Sequence, residues 1–242
     1  MTSQVNRQVR LKSRPTGVPQ PDNFEIATAP LPDIADRQFL VRNEYLSVEP
    51  AMRGWVSAVA NYSTPVGIGE VMRAFSAGTV IASRHPNYRE GDAVMGMLGW
   101  QEYAVSDGST ITRKVKERDL PLSLSLGVLG LNGVTAYFGL LDIGQPRPGD
   151  TVVVSTAAGA VGSAVGQIAK LMGCRTVGIT GGPAKCKLCR EEFGYDEAID
   201  YKAGVLSEAL AKACKTKRQR VTNLQSCGRN SNSQMLRAAS TS

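Results

Sequence analysis

The stretch Thr151 to Lys170, TVVVSTAAGAVGSAVGQIAK, decides the reading of this chain. Its β-branched opening predicts a strand buried on both faces, and AVGSAVGQIAKLMG continues it as a helix closed by Gly173. Between the two lie only small residues, Ala157, Ala158, Gly159, Ala160 and, one place further, Gly162. A phosphate group meets backbone amides closely only where no side chain intervenes. Amides at a helix N-terminus point outward, with the positive end of the helix dipole behind them. Set against the dinucleotide fingerprint, Ala157, Gly159 and Gly162 take the three glycine places, with alanine in the first. Gly159 then lets the backbone meet a pyrophosphate, and Gly162 lets the helix pack tightly on its strand. Plain packing also uses small residues at such turns. The order strand, turn, helix within a βαβ unit favours the phosphate reading.

Working outward, CRTVGITG predicts a second buried strand and PAKCKLCREEFG a helix opened by Pro183 and closed by Gly194. The strand EAIDY and the helix LSEALAKAC follow. Strand and helix in strict alternation mean parallel β with right-handed crossovers, an α/β fold. An NAD site places a carboxylate at the end of its second strand to bond the adenosine ribose. Here stand Thr180, Gly181 and Gly182, with Lys185 just beyond, where an ammonium can meet a ribose 2′-phosphate. The expected cofactor is therefore NADP(H); an ordinary surface lysine is the competing reading of Lys185.

From Arg7 to about Ser125 the texture differs. FEIATAPL, QFLVRNEYLSVE, AGTVIAS, DAVMGMLG and QEYAVS are strand candidates separated by turn-rich segments, which predicts an all-β, barrel-like domain. An apolar helical pattern runs from about Leu126 to Leu141. The net charge of +7 does not mark the folded body as a nucleic-acid binder: seven positive charges and no acid follow Glu208, and everything before is balanced at 21 against 21. Residues 215–242 read as a basic, disordered tail. No run is long and apolar enough for a bilayer, and the polar N-terminus lacks a secretory core, so the expectation is a cytoplasmic protein that binds neither membrane nor nucleic acid. The five cysteines read as reduced thiols. The CxxC pair Cys186 and Cys189 falls inside a helix rather than at its N-terminus, which argues against redox work.

These residues carry a family likeness. LSVEPAMRGW, IGEVMRAFSAGTVIAS, GDAVMGMLGWQEY, the block LGLNGVTAYFGLLDIGQPRPGD with the stretch that follows it, and GGPAKCKLCREEFGYDEAIDYK resemble the medium-chain dehydrogenase/reductase superfamily. Within it they are similar to the zinc-independent, NADP-dependent group of prostaglandin, alkenal double-bond and curcumin reductases, over about Arg7 to Lys212. The resemblance implies α/β plus all-β architecture: a GroES-like β-barrel substrate domain over 1–128, then the first half of a Rossmann domain, a doubly wound parallel sheet, over 129–214. The active site is expected in the cleft between them. It implies reduction of the C=C bond of α,β-unsaturated ketones or aldehydes by hydride from NADPH, on a small-molecule enone or enal, in a homodimer. Gly159, Ala160, Val161, Gly162 and Ser163 are expected to line the pyrophosphate. Lys185 and Tyr201 are expected to hold the 2′-phosphate beside Gly182, with Thr135 near the nicotinamide. Met52, Trp55, Tyr62 and Trp100 are candidate walls of the substrate pocket, and each has the core as its alternative.

No metal is expected. Where zinc-dependent relatives carry Gly-His-Glu this chain has Gly69, Glu70 and Val71, and its only histidine, His85, lies in the turn RHPNYREGD. Two departures stand out. Glu49 to Arg53, EPAMR, replaces the DPYMR of many members, which removes a tyrosine from the expected substrate site. A complete dinucleotide fold also has two βαβαβ halves, and this chain supplies one before turning polar at Lys215. The tyrosine that the family places at the enolate belongs to the other half, so the catalytic residues stay unknown. The same departure predicts an open edge on the sheet's first strand, beside an uncovered apolar face.

Overall fold

Antiparallel pairing builds the first part of the chain and parallel pairing the second, in a computed structural model that describes residues 5–59 and 63–214. The first compact unit ends at Leu131 and the second begins at Asn132.

In the first unit β1 (Val5–Leu11) and β2 (Phe24–Pro30) form a hairpin. After it come β3 (Phe39–Leu46), the short helix α1 (Met52–Trp55), β4 (Phe75–Ser83), β5 (Ala93–Met97), β6 (Tyr103–Ser106) and β7 (Ile111–Lys114). The larger sheet has the order β6-β3-β4-β5-β7. The expected barrel does not close among the described residues. The hairpin joins the five strands through hydrogen bonds and isolated bridges at Gln8 with Gln101 and Arg10 with Val71, not as a continuous ladder. The edge strands β6 and β7 have four residues each, and the β3–β4 and β5–β7 registers slip, so pairing ends before it encircles the core. Asn6 supplies part of the junction: its Nδ2 donates to the Tyr103 carbonyl at 2.8 Å and its Oδ1 accepts from the Tyr103 amide at 3.0 Å. A buried side chain thus acts as a strand neighbour's backbone would.

The predicted helix over Leu126–Leu141 is shorter. A 3₁₀ turn at Leu122–Leu126 folds back through Gly127 and Gly130, and α2 (Leu131–Phe138) begins only afterwards, ending in a π-turn at Gly139–Gly144. Close approach sets the delay, since a Cβ on Gly130 would lie 2.1 Å from the Ser125 carbonyl oxygen.

The second unit follows the expected alternation. It runs through β8 (Thr151–Ser155), α3 (Ala160–Leu171), β9 (Arg175–Thr180), α4 (Pro183–Glu191), β10 (Glu197–Asp200) and α5 (Leu206–Ala213), with a parallel sheet ordered β10-β9-β8. Among the described residues β8 is therefore the outer strand, as expected. The uncovered apolar face is not found there. Val152, Val153 and Val154 are at most 6% exposed, because Ala136, Leu140, Ala164 and Val165 cover one face and α5 with Cys214 the other. Exposed apolar surface lies instead on α2, where Leu131, Val134, Tyr137 and Phe138 are about half exposed. No helix among the described residues is long and apolar enough to cross a membrane. The basic segment 215–242 lies outside the described residues.

Candidate functional site

Parallel pairing puts the carboxyl ends of the three strands at one edge of the sheet: Ser155 pairs with Ile179, and Thr180 with Asp200. Ligands of open α/β sheets bind along that edge. Three expected segments meet there, the β8–α3 turn, the Thr180–Lys185 turn and the Tyr201 region.

The β8–α3 turn is held tightly. Thr156 takes a left-handed conformation at φ +54°, the Ala157 amide donates to the Ile179 carbonyl at 3.1 Å, and the Gly159 amide returns to the Thr156 carbonyl at 2.8 Å. Gly159 is the N-cap of α3 and has no side chain to cap with. The Ser163 amide is the first to reach back, to Gly159 at 2.8 Å. The amides of Ala160, Val161 and Gly162 precede the helical ladder and have no backbone acceptor among the described residues. The Ser163 hydroxyl turns back onto the Ala160 carbonyl at 3.1 Å. The result is a row of outward amides at a dipole's positive end, suited to an anion.

Packing explains the remaining small residues. A Cβ on Gly162 would lie 2.3 Å from the Thr156 carbonyl oxygen, and one on Gly178 would lie 2.8 Å from the Ala157 Cβ. A Cβ on Gly166 would penetrate the Tyr195 ring at 2.3 Å, and the Tyr195 hydroxyl donates to the Gly162 carbonyl at 2.6 Å. Burial pushes the Tyr195 phenol far above its ordinary range, with Cys189 adding to it, so the hydroxyl stays a donor. Sequence reasoning missed this tyrosine. Its partners lie up to 33 positions away, and a bulky residue facing three glycines leaves no local pattern.

At the end of β9, Gly182 has φ +89° and donates its amide to Asp200 Oδ1 at 2.9 Å. Lys202 donates its own amide to the same oxygen at 3.0 Å. These two amides, Gly182 first, hold the Asp200 carboxyl below its usual range. The Tyr201 amide donates to the Thr180 carbonyl at 3.1 Å, and its ring edge and hydroxyl stand over Gly181. Lys185, exposed on the first turn of α4, makes no ion pair among the described residues.

The other expected residues lie elsewhere. Thr135 is on the exposed side of α2. Met52 and Trp55 are buried in one cluster with Val56, Val66 and Met72, and Trp100 packs at its margin while donating Nε1–H to the Ser47 carbonyl at 2.9 Å. Tyr62 lies outside the described residues. His85 stacks edge-on against Phe39 and Tyr88 in its turn. Cys186 and Cys189 are free and buried, and burial, the largest cause, raises both thiols above their ordinary range.

A family model described as the N-terminal domain of oxidoreductase matches residues 7–114, and one described as zinc-binding dehydrogenase matches residues 160–238. The chain belongs to the medium-chain dehydrogenase/reductase superfamily. Among its relatives in that superfamily, the NADPH-dependent curcumin reductase of Escherichia coli (strain K12) is 47% identical over 211 residues, 87% of this chain and 61% of that protein. Prostaglandin reductase 1 of Sus scrofa is 41% identical over 206 residues, 84% of this chain and 60% of that one. The solved structure of CurA from Vibrio vulnificus superposes with a TM-score of 0.79 at 48% identity, over 86% of this chain and 61% of that chain. The same protein has been solved in complex with NADPH. This chain thus spans about three fifths of the length of these superfamily members.

Proposed function

We propose that this chain binds NADPH along the carboxyl edge of its parallel sheet and descends from reductases that saturate the C=C bond of α,β-unsaturated ketones and aldehydes. The observation that carries the reading is the uncapped start of α3. Three amides point outward behind Gly159, a residue with no side chain to block a pyrophosphate. The coenzyme fits this edge on the structure's own terms. Gly159, Ala160, Val161, Gly162 and Ser163 receive the pyrophosphate. Thr180, Gly181 and Gly182 offer no carboxylate to the adenosine ribose, while Lys185 and Tyr201 stand ready for a 2′-phosphate.

Bound there, NADPH is the source of the hydride that the β-carbon of a conjugated carbonyl accepts. The chain's own contribution is to anchor and orient. The α3 amides fix the diphosphate, Tyr195 holds the first turn of α3 against the sheet, and Gly182 and Asp200 fix the turn on which the ribose rests. No zinc is part of this reading, since His85 is engaged with Phe39 and Tyr88 in a turn of the first unit.

A second reading is nucleotide binding without turnover, because the open α3 start and the turn at Gly182 that carry the first reading serve binding and assign no residue to a chemical step. One experiment separates the two. The purified chain is titrated into NADPH with coenzyme fluorescence as the signal, then a simple enone is added and nicotinamide absorbance followed. Binding with turnover supports the reductase, binding alone supports the second reading, and no binding overturns both.

A further inference from the structure

We propose that Lys202 is a specificity-determining residue of the coenzyme site, its ammonium closing on the ribose 2′-phosphate from the β10 side while Lys185 approaches from α4. The inference rests on the proposed NADPH site and adds a residue that strand-end spacing did not reveal.

Three observations place the side chain. A Cβ built on Gly181 would lie 3.0 Å from Tyr201 Cε1, 3.1 Å from its hydroxyl and 3.2 Å from Lys202 Cε. The phenol edge and the lysine stem therefore share the roof over Gly181, at the strand end where a dinucleotide's ribose lies. Lys202 Nζ stands 5.9 Å from the centre of the Tyr201 ring, so the exposed side chain lies along the tyrosine. Its backbone is fixed as well, because the Lys202 and Gly182 amides share Asp200 Oδ1.

Charge completes the argument. Asp200 is the carboxylate at this edge, and its Oδ1 already accepts two amides, so that oxygen is committed to the protein rather than to a ribose hydroxyl. Lys202 makes no ion pair among the described residues. The Lys202 charge adds to the two amides in holding the Asp200 carboxyl below its usual range. A dianionic phosphate between two lysines and a phenol gains charge-assisted hydrogen bonds; a coenzyme without that phosphate gains none of them. Asp200 acts here as a positioning residue, setting the turn that aims Lys202.

The test compares NADPH with NADH on the same chain, by fluorescence titration at two salt concentrations. Lys202→Ala is expected to weaken NADPH about ten- to 150-fold, the range for one hydrogen bond to a charged group, and to leave NADH affinity as it was. Lys202→Arg is expected to restore most of the loss. The preference of NADPH over NADH should also shrink with added salt more steeply in the parent than in Lys202→Ala. Since Lys202 is exposed, the variants should keep the parent's far-UV spectrum. Unchanged NADPH affinity in Lys202→Ala, with the parent binding normally, overturns the role of Lys202 and leaves the coenzyme site standing. Equal losses for both coenzymes overturn it too, by showing a general effect on the edge. A parent chain that binds neither coenzyme overturns both this inference and the reading on which it rests.

Discussion

Two glycines of one motif should respond to alanine in opposite ways. At Gly162 the new Cβ would lie 2.3 Å from the Thr156 carbonyl oxygen and 2.8 Å from the Ala157 Cα, both backbone atoms of a turn held by its own hydrogen bonds. The closer contact is about 1 Å short of ordinary van der Waals distance, so α3 must lift from the sheet. Overpacking of this kind costs about 1–3 kcal/mol, and the strand-bound backbone places Gly162→Ala toward the upper end. Alanine's helical advantage of about 0.5–1 kcal/mol offsets part of it, leaving a net loss of about 2 kcal/mol. Gly159 is different. Its φ of −86° suits any residue, and a Cβ there would meet only Thr156, its methyl at 3.0 Å and its carbonyl oxygen at 3.1 Å. Gly159→Ala should leave stability within about 0.5 kcal/mol of the parent, as a surface change does. It should instead crowd the pyrophosphate and weaken NADPH about tenfold or more, the equivalent of one lost charge-assisted hydrogen bond. Urea unfolding followed at 222 nm reports the second unit, which holds α3, α4 and α5, and coenzyme fluorescence reports affinity. If both variants lose stability equally, or if Gly159→Ala binds NADPH as the parent does, the division of labour between packing and phosphate contact is wrong.

Tyr195→Phe keeps the ring between Gly166 and Gly178 but deletes the 2.6 Å bond to the Gly162 carbonyl. It should cost about 1 kcal/mol in the same urea assay, and a change below a few tenths would count against that bond. Asp196 accepts from the Thr176 amide at 2.7 Å and from Lys170 Nζ at 2.7 Å. Burial raises its carboxyl, yet these bonds outweigh burial and hold it below the ordinary value. A depressed folded pKa gives stability present above the unfolded value of about 3.9 and lost as pH falls through the folded one. Asp196→Asn should therefore destabilise the chain by about 1–2 kcal/mol at pH 7, with the gap to the parent closing as pH falls below the unfolded value of about 3.9; a gap that is constant with pH contradicts this. Iodoacetamide at neutral pH should label Cys174, Cys186, Cys189 and Cys214 only as fast as the second unit opens, because burial raises all four thiols. Peptide mapping with and without urea checks it, and rapid native labelling of the CxxC pair would reopen a redox role.

The second unit was legible because its signals are local. The β-branched run 151–154, the small residues 157–162 and the closing glycines at 173 and 194 each state their own geometry within a few positions. The first unit was less so. β1 reads as polar because Asn6 points inward to serve Tyr103, 97 positions away, and β7 is a four-residue edge whose pairing depends on a register slip. Barrel closure is a property of ladders, not of strand composition, so alternation alone suggested a ring that the bridges at Gln101 and Val71 only begin. In the site, Gly159 and Lys185 stood out from the turn chemistry. Tyr195 and Lys202 acquire meaning only when β10 returns beside β9, which no spacing in the sequence announces.

Among the described residues β8 lies at the rim of its sheet, which bears on how the coenzyme turn behaves. In a complete doubly wound sheet that strand sits at the middle, where neighbours on both sides brace the loop it carries. Here the loop springs from a margin, so its amides should exchange with solvent sooner than those of β9. Whatever occupies the α3 start would then firm up the whole margin, and coenzyme should raise the melting temperature of the second unit more than that of the first.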